Sequence, residues 1–280
     1  MLTKFKKNKK ITIRSLQVHA AHACNLSCSS CNAFSQFKLK GLLEPSTLTK
    51  WLGDWEPRLN VKKICLLGGE PTLNPKLVEL LGVFFKFFPR DSTQKVLFTN
   101  GFFLLKHNGL ERALREFRIE LRLTVHSAHP TYLERIKPII EECQRWREVS
   151  FLVYNGSGKK IPGIKFREEK WTKRYHESSD QITPFTDNNP RASWEVCPSK
   201  YSMQLHEGRL WKCPMITYLR LVDPALRQDP SWEPYLRYQG IGSDCSDEEL
   251  LDFSLKEDEA ICGMCPQEKI SFSKGYPLRK

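Results

Sequence analysis

Short apolar runs alternate with longer amphipathic stretches along the first half of the chain. The strand-like runs begin near Ile11, Val61, Lys95, Ile119 and Val149. Between them, helical patterning covers Pro45 to Leu59, Lys76 to Phe88, Leu110 to Phe117 and Tyr132 to Trp146. This alternation predicts an α/β fold in which helices cover a parallel sheet. A sixth strand could lie between Gly163 and Arg167, where the periodicity is poor.

Three cysteines follow the first strand-like run within one short loop. Cys24, Cys28 and Cys31 have the spacing C-x3-C-x2-C. A [4Fe–4S] cluster that is held by three cysteines keeps one iron open for a further ligand. The alternative is a structural zinc site, which needs a fourth ligand, and His22 is the only candidate close by in the sequence.

A glycine-rich turn follows the second main run. It consists of Gly68, Gly69, Glu70 and Pro71. Glycine lets the backbone approach a ligand closely, and proline fixes the direction in which the chain leaves the turn. A carboxylate at this place is suited to pair with an ammonium group. Alone, the tetrapeptide would be an ordinary turn between a strand and a helix.

Polar residues also end the next two runs. Thr99 and Asn100 close the third, and Thr124 and His126 close the fourth. Taken singly, Asn-Gly would indicate only a turn, and His126 could equally be a core histidine. Functional groups at the carboxyl ends of parallel strands meet on one face, so we expect these motifs to converge.

Together these motifs resemble those of the radical S-adenosylmethionine (SAM) enzymes. The resemblance implies a partial (β/α)6 TIM-like barrel in which Cys24, Cys28 and Cys31 bind a [4Fe–4S] cluster. It also implies that reduction of this cluster cleaves SAM to a 5′-deoxyadenosyl radical, which removes a hydrogen atom from the substrate. The SAM-binding residues implied by the resemblance are Gly68, Gly69, Glu70, Pro71, Thr99, Asn100, Thr124 and His126.

One position departs from the family pattern. Members often carry an aromatic residue just before the third cysteine, where it packs near adenine, but this chain has Ser30 there. Phe34 or Phe37 could substitute for it from the other side of the loop. The departure concerns the adenine contact and leaves the cluster ligands unchanged.

A second cysteine set lies in the last third of the chain. A β-hairpin is predicted by the alternation over Tyr201 to His206 and Arg209 to Lys212 around a glycine turn. This hairpin would bring two cysteines of the set together. Four thiolates can close a zinc site or hold a [4Fe–4S] cluster, and spacing alone does not separate the two. The set consists of Cys197, Cys213, Cys262 and Cys265.

This second pattern resembles twitch, the shortened form of the SPASM auxiliary-cluster domain, because the further cysteine run of the long form is missing after Cys265. The resemblance implies a small C-terminal β-hairpin/helix domain with one auxiliary [4Fe–4S] cluster. Cys245 matches no position of the family pattern. Cys65 and Cys143 are interpreted as buried small hydrophobes. The predicted units are a basic tail (1–10), a core barrel (11–155), a bridge (156–196) that could include the sixth strand, and the auxiliary domain (197–280).

Composition adds few constraints. Ten cysteines without a visible export signal favour metal over disulfides and indicate a cytoplasmic protein. No run approaches a membrane span. The formal net charge of +12 would suit an anionic partner, but five lysines lie in the first ten residues. Without an RNA-binding motif, nucleic acid is the weaker interpretation.

The resemblance therefore implies an enzyme, with a flavodoxin- or ferredoxin-type protein as its reductant. A fully ligated auxiliary cluster suits a net oxidation, either dehydrogenation or bond formation. We expect a small polar substrate, since only ten residues precede the first strand and leave no room for a fused leader-binding domain. The alternatives are a peptide or protein maturase and a non-catalytic iron–sulfur or zinc-stabilised binding protein. Candidates to line the pocket are His126, His129, Tyr154, Arg191 and Glu195.

Overall fold

The computed structural model describes residues 10–156, 163–168, 171–178 and 180–272. Most of the predicted basic tail and parts of the predicted bridge lie outside these ranges. The strands are β1 (Ile11–Ile13), β2 (Ser15–Ala21), β3 (Leu59–Val61), β4 (Lys63–Gly68), β5 (Gln94–Thr99), β6 (Ile119–Val125), β7 (Phe151–Asn155), β8 (Arg167–Glu168), β9 (His176–Glu177), β10 (Ile182–Thr183), β11 (Ser202–His206) and β12 (Arg209–Trp211). The helices are α1 (Pro45–Trp55), α2 (Leu77–Phe87), α3 (Leu110–Glu116), α4 (Pro130–Arg145), α5 (Pro190–Val196), α6 (Pro214–Tyr218), α7 (Glu233–Arg237) and α8 (Asp247–Leu255).

The main sheet has eight strands in the order β12-β11-β2-β4-β5-β6-β7-β8. All its pairings from β11 to β8 are parallel, and only the β11–β12 hairpin is antiparallel. The predicted α/β class with a parallel sheet is confirmed. The sixth strand of the predicted barrel is β8, which has only two residues at the end of the expected range.

One side of the sheet is apolar and carries α1 to α3. Along β6 the side chains alternate between buried and partly exposed, as expected for a strand with one covered face. Each fully buried leucine contributes about 1.5–3 kcal/mol to the stability of this core. The core includes Leu16, Leu48, Leu52, Leu66, Leu80, Phe84, Leu97, Leu114 and Leu121.

The other side of the sheet is largely polar, and we call it the polar face. Neighbouring strands are in register, so that Gln17, Cys65 and Glu120 point to the same side. Most of its residues on β4 to β7 are partly exposed. Besides those three residues, the polar face includes His19, Lys63, Phe98, Arg122, Thr124, Tyr154, Gln204 and His206.

The predicted hairpin is present, and it extends the main sheet. Glu207 and Gly208 form its turn with φ of 51° and 73°, which suits a two-residue hairpin loop. β11 then pairs with β2, and the Gln204 amide donates to Gln17 Oε1 at 2.9 Å. This pairing covers an edge of β2 that would otherwise stay open. The sheet is therefore continuous across the predicted boundary at residue 197, and that boundary stays a prediction.

A second apolar cluster joins the cysteine loop to the C-terminal part of the chain. Phe34 and Tyr175 pack in it together with Trp211, Tyr218 and Trp232. Cys65 and Cys143 are 0% and 1% exposed, which confirms their predicted burial. No helix in the described ranges is long and apolar enough to cross a membrane.

Candidate functional site

The cysteine loop and the glycine-rich turn are held together by backbone hydrogen bonds. The Gly69 N–H donates to the Ala21 carbonyl and the Glu70 N–H to the Ala23 carbonyl, both at 2.8 Å. A Cβ atom at Gly68 would lie 2.2 Å from the Ala21 oxygen, and one at Gly69 would lie 2.2 Å from the Ala23 oxygen. Gly68 also has a φ of 154°. This close approach explains why both positions are glycine.

The Glu70 carboxylate is 1% exposed and joins the turn to the end of β5. Its Oε1 accepts from the Thr72 and Thr99 hydroxyls at 2.6 and 2.5 Å, and its Oε2 accepts from the Asn100 N–H at 2.7 Å. Burial raises the pKa of Glu70, and these hydrogen bonds oppose the rise. A buried carboxylate of this kind is stabilised further when a cation binds beside it.

Polar groups contact the sulfur atoms of the first two cysteines. The Leu26 N–H donates to Cys24 Sγ at 3.3 Å, and the Asn100 amide lies 3.8 Å from the same sulfur. His126 Nδ1 lies 3.4 Å from Cys28 Sγ. Burial raises the pKa of the Cys24 thiol, and the nearby Glu70 charge raises it further. Metal coordination would offset this cost, because a cluster binds the thiolate form.

Asn100 has a further contact that the sequence did not indicate. Its side-chain amide donates to Asn25 Oδ1 at 2.8 Å, and its own Oδ1 accepts from the Phe102 N–H at 3.2 Å. In the structure Thr99 and Asn100 bind Glu70 and the cysteine loop and hold the edge of the site together. Their expected contact with SAM stays a prediction.

His126 lies beside Cys28 and is covered by an aromatic ring. Trp171 stacks on it with 5.3 Å between ring centroids and 14° between ring planes. The His126 N–H donates to the buried Tyr132 hydroxyl at 3.1 Å. A Cβ atom at Gly156 would lie 2.1 Å from the Trp171 indole, so only glycine fits there. Nothing in the sequence marked Trp171 or Gly156.

Residues of the bridge hold the segment around the third cysteine. The Tyr175 hydroxyl donates to the Cys31 carbonyl at 3.1 Å. The Ser30 N–H donates to Glu177 Oε2 at 2.9 Å, and Ser30 Oγ accepts from the Arg174 N–H at 2.7 Å. The serine at the family's aromatic position thus binds the bridge through two polar contacts.

The two phenylalanines proposed as substitutes for that aromatic residue lie on the bridge side of the loop. Phe34 is fully buried and stacks on Tyr175 at 5.0 Å, and Phe37 stacks on Phe34 at 6.5 Å. Both rings therefore belong to the second apolar cluster. Their expected contact with adenine stays a prediction.

Three histidines and Tyr218 form a buried cluster between β2 and the hairpin. His19 stacks on Tyr218 at 3.8 Å, and the His22 ring lies 5.5 Å from that of His19 and 5.3 Å from that of His206. Burial lowers the pKa of His22 and of His206 to about 4 and that of His19 as well. All three are therefore neutral at pH 7. Within the described ranges, both nitrogens of His19 lack a hydrogen-bond partner.

The four C-terminal cysteines come from three segments. Cys197 follows α5, Cys213 precedes α6, and Cys262 and Cys265 lie in and after the 3-10 helix Ala260–Met264. Burial raises the pKa of Cys213 and of Cys262 to about 12. Cys197 raises the pKa of both further, and Cys213 also raises that of Cys262. Burial likewise raises the pKa of Cys265. The thiols therefore lie within electrostatic reach of one another.

All ten cysteines are free thiols. Among the described residues, no group of three or more His, Cys, Asp or Glu side chains is arranged around a point that could hold one metal ion. A [4Fe–4S] cluster distributes its cysteines over different irons, so its ligands need not surround one point. In donor chemistry both cysteine sets fit such a cluster. Cys245 stands apart, because Arg58 donates to its sulfur at 3.4 Å.

The remaining pocket candidates fall in different places. Tyr154 lies on the polar face, where its ring is 6.5 Å from that of Phe98 and 5.8 Å from the Arg122 guanidinium. Arg191 instead forms ion pairs with Glu195 at 2.9 Å and with a second carboxylate at 3.0 Å, on an exposed surface. The assignment of Arg191 and Glu195 to the pocket stays a prediction that this geometry does not favour.

No protein-family model and no curated protein matches the chain. Among solved structures, the chain is similar to native anSMEcpe with bound AdoMet, with 20% identity, a TM-score of 0.40, and coverage of 50% of this chain and 43% of that one. It is also similar to Streptococcus suis SuiB bound to precursor peptide SuiA, with 14% identity, a TM-score of 0.46, and coverage of 88% and 65%.

Both similarities have identities of 20% or below and TM-scores below 0.5. The chain spans less than half the length of anSMEcpe. Similarity at this level leaves the function of this chain to be inferred from its own residues.

Proposed function

We propose that this chain is a radical SAM enzyme that catalyses a net oxidation, either dehydrogenation or bond formation, on a small polar substrate. The observation that carries the proposal is the junction of three strand ends at one edge of a parallel sheet. There the cysteine loop, the Gly68–Glu70 turn and Asn100 are joined by direct hydrogen bonds. Bound at this edge, a [4Fe–4S] cluster and SAM would supply a 5′-deoxyadenosyl radical.

In this proposal Cys24, Cys28 and Cys31 hold the cluster, and the turn binds SAM. Glu70 Oε2 accepts one hydrogen bond from the described residues, whereas Oε1 accepts three. A carboxylate oxygen can accept more than one bond, so Oε2 retains capacity for the SAM ammonium group. The lack of side chains at Gly68 and Gly69 lets the turn pack directly against the cysteine loop.

The four C-terminal cysteines would hold an auxiliary cluster that accepts an electron from the substrate radical. Their mutual proximity supports this role, with Cys265 buried and the other three partly buried. A reducing cytoplasm, which keeps ten cysteines available for metal, is the compartment that we propose. The reductant would be a flavodoxin- or ferredoxin-type protein.

The polar face would receive the substrate. Arg122 and Glu120 form an ion pair on it at 2.5 Å with side chains only 12% and 14% exposed. Tyr154 and Thr124 lie opposite each other at the carboxyl ends of β7 and β6. These groups offer donors and acceptors to a hydroxylated or charged molecule, which supports a small polar substrate.

A peptide or protein substrate is the second candidate. The partly exposed residues of the polar face extend over four neighbouring strands, β4 to β7, which is room for an extended chain. SuiB and anSMEcpe, which this chain resembles in structure, have been solved with a precursor peptide and with the Cp18Cys peptide.

Anaerobic reconstitution with iron and sulfide, followed by incubation with SAM and dithionite, tests the proposal. We expect about eight irons per chain, four for each cluster, and formation of 5′-deoxyadenosine. Cys28→Ala should abolish deoxyadenosine and keep about four irons. The matched control is Cys245→Ala, which removes a thiol outside both cysteine sets. It should retain about eight irons and deoxyadenosine formation.

Unchanged deoxyadenosine formation in Cys28→Ala would refute the site. About four irons in the unmodified protein, with deoxyadenosine formed, would refute only the auxiliary cluster. Neither iron nor deoxyadenosine, in a folded anaerobic sample, would instead support the non-catalytic binding protein.

A further inference from the structure

A small cationic cleft opens at the amino-terminal ends of β2 and β11, at the opposite end of these strands from the cysteine loop. Its volume is about 210 Å³, which is below the ~300 Å³ typical of small-molecule pockets. The seven residues of β2 separate the two ends, a distance of about 20 Å at the rise of a β-strand. The lining includes Arg14, Trp194, Lys200, Tyr201, Leu255 and Lys256.

The charge of the cleft is unbalanced. Arg14 and Lys256 are exposed, and neither has a carboxylate partner among the described residues. Lys200 donates to a backbone carbonyl at 3.0 Å and also lacks a carboxylate partner there. Of the other charged residues in the lining, Lys212 is paired with a glutamate at 3.2 Å and Glu257 with an arginine at 3.0 Å. Three cations therefore remain for an anionic ligand.

The cleft also has an apolar rim. Leu255 is 68% exposed, Leu251 on the same helix 47%, and Tyr201 39%. Exposed leucines beside unpaired cations suit a ligand that carries both carboxylates and apolar side chains. An acidic peptide segment with interspersed leucines has this chemistry.

Cations of this chain already lie over the aromatic rings of the cleft. The Arg14 guanidinium lies 3.9 Å from the centroid of Tyr201, and Lys200 Nζ lies 4.8 Å from that of Trp194. The Arg191 guanidinium is 4.9 Å from the Trp194 ring as well. Single-stranded nucleic acids bind largely through base stacking on free aromatic faces, so these contacts favour a peptide over RNA.

The two end segments outside the described ranges do not complement the cleft in charge. Residues 1–9 contain four lysines and no acidic residue, and residues 273–280 contain three cations and no acidic residue. Like charges repel, so neither segment is suited to fill the cleft.

We infer that this cleft binds an acidic, leucine-containing peptide segment. Arg14, Lys200 and Lys256 would contact its carboxylates, and Leu255 and Tyr201 would contact its apolar side chains. This inference goes beyond the proposed radical chemistry, because binding here requires neither cluster nor SAM. From the cleft, an extended peptide of about six or seven residues would reach along β2 to the end that carries the cysteine loop.

Fluorescence anisotropy on the full chain tests the inference. The probe is a labelled twelve-residue peptide of alternating glutamate and leucine pairs, compared with its glutamine counterpart and with a twelve-nucleotide uridine RNA. We expect the acidic peptide to bind at least ~10-fold more tightly than the other two. Added salt should weaken its binding.

The variant Arg14→Gln/Lys256→Gln should weaken binding of the acidic peptide about tenfold, or ~1.4 kcal/mol. Lys86→Gln/Arg90→Gln removes the same charge from a distant exposed surface and should leave it unchanged. Leu255→Ser tests the apolar rim and should weaken binding ~3-fold. Circular dichroism and thermal unfolding show whether each variant is folded.

An equal loss of affinity for the acidic peptide in both double variants would overturn the inference and indicate attraction to net charge alone. Tighter binding of the RNA than of the peptide would also overturn it, in favour of a nucleic-acid surface. Because none of these measurements needs a cluster, loss of deoxyadenosine formation and loss of peptide binding can be told apart.

Discussion

The two cysteine regions differ in how the chain holds them in place. Around Cys24 to Cys31, backbone hydrogen bonds, a buried carboxylate and close glycine contacts fix the loop to two further strand ends. Around Cys197 to Cys265, the thiols come from three segments that are distant in sequence. The first region is held by hydrogen bonds and close backbone contacts. The second is held by packing of the second apolar cluster, which includes Cys213 and Cys265, and by a hydrogen bond from Ser193 Oγ to the Cys265 carbonyl; we expect the proposed metal centre to add to this packing.

This difference separates the expected effects of mutation. Changes in the first region should remove the chemistry by displacing a preformed geometry. Changes in the second should chiefly weaken the C-terminal fold. Four experiments test this comparison, and their expected effects decrease from the first to the last.

Gly69→Ala should have the largest effect. Its Cβ atom would lie 2.2 Å from the Ala23 carbonyl oxygen, so the cysteine loop must move. We expect a loss of about 3–5 kcal/mol in the free energy of unfolding and no detectable deoxyadenosine. Denaturant unfolding and the SAM cleavage assay measure both.

The control for this experiment is Gly109→Ala. Gly109 has a φ of 76°, and a Cβ atom there would meet nothing within 4 Å. We expect a loss of only about 1–2 kcal/mol from the left-handed backbone conformation and unchanged SAM cleavage. A Gly69→Ala variant that is as stable and active as Gly109→Ala would refute the role assigned to the close approach.

Cys213→Ser should lower the stability of the reconstituted protein by about 3 kcal/mol while SAM cleavage continues. The missing ligand removes metal binding energy from the C-terminal region, whereas the first site keeps all its contacts. Thermal unfolding with and without reconstitution measures the loss. If the metal-free and reconstituted proteins unfold at the same temperature, the C-terminal cysteines do not hold a stabilising metal centre.

Glu70→Gln should lower the free energy of unfolding by about 2 kcal/mol and raise the KM for SAM. Glutamine keeps the shape but brings an NH2 group to face donors such as Thr99 Oγ1 or the Asn100 N–H, which leaves a buried group unsatisfied. The variant also removes the negative charge next to the proposed ammonium site. An unchanged KM for SAM, in a variant with the expected loss of stability, would limit Glu70 to a structural role.

The histidine cluster predicts a loss of stability in acid. The folded-state pKa of His206 is about 4, lowered by burial and by the Arg220 charge, whereas the unfolded value is about 6.5. Between these values the unfolded chain binds more protons, so stability falls as the pH decreases from about 6.5 towards 4. From this residue alone we expect the free energy of unfolding to fall by about 2 kcal/mol between pH 7 and pH 5. His22 and Glu207 also face the ring.

His206→Gln should reduce this dependence on pH. Tyr218→Phe alters the same cluster without removing a group that titrates in this range, and it should retain the full dependence. Chemical denaturation at pH 7, 6 and 5 distinguishes the two variants. Equal slopes in both would show that His206 does not cause the acid sensitivity.

The sequence allowed the first region to be predicted in more detail than the second. Its strands, its glycine turn and its cysteine spacing are local patterns, and the structure places Cys24, Gly69 and Asn100 at one edge of the sheet as expected. The role of Glu70 as a buried acceptor for two strand ends was not foreseen. The burial of a turn carboxylate depends on the position of the neighbouring strand, which the local sequence does not give.

The bridge shows the limit of prediction most clearly. Its composition suggested only a charged connection, yet Tyr175 binds the Cys31 carbonyl and Glu177 binds the Ser30 N–H. These partners lie about 145 residues apart in sequence. No local pattern relates positions at that distance, and only packing of the second apolar cluster brings them together.

By itself, the sequence determined the alternation of strands and helices, the hairpin turn at Glu207 and Gly208, and the identity of the cysteine and glycine motifs. Those features depend on side-chain period and on backbone conformations that neighbouring residues impose. Only the tertiary structure decided that the hairpin pairs with β2, that three histidines pack together and become neutral, and that an unpaired cationic cleft opens at the far end of the sheet. These features depend on strand order and burial, which arise from contacts among distant segments.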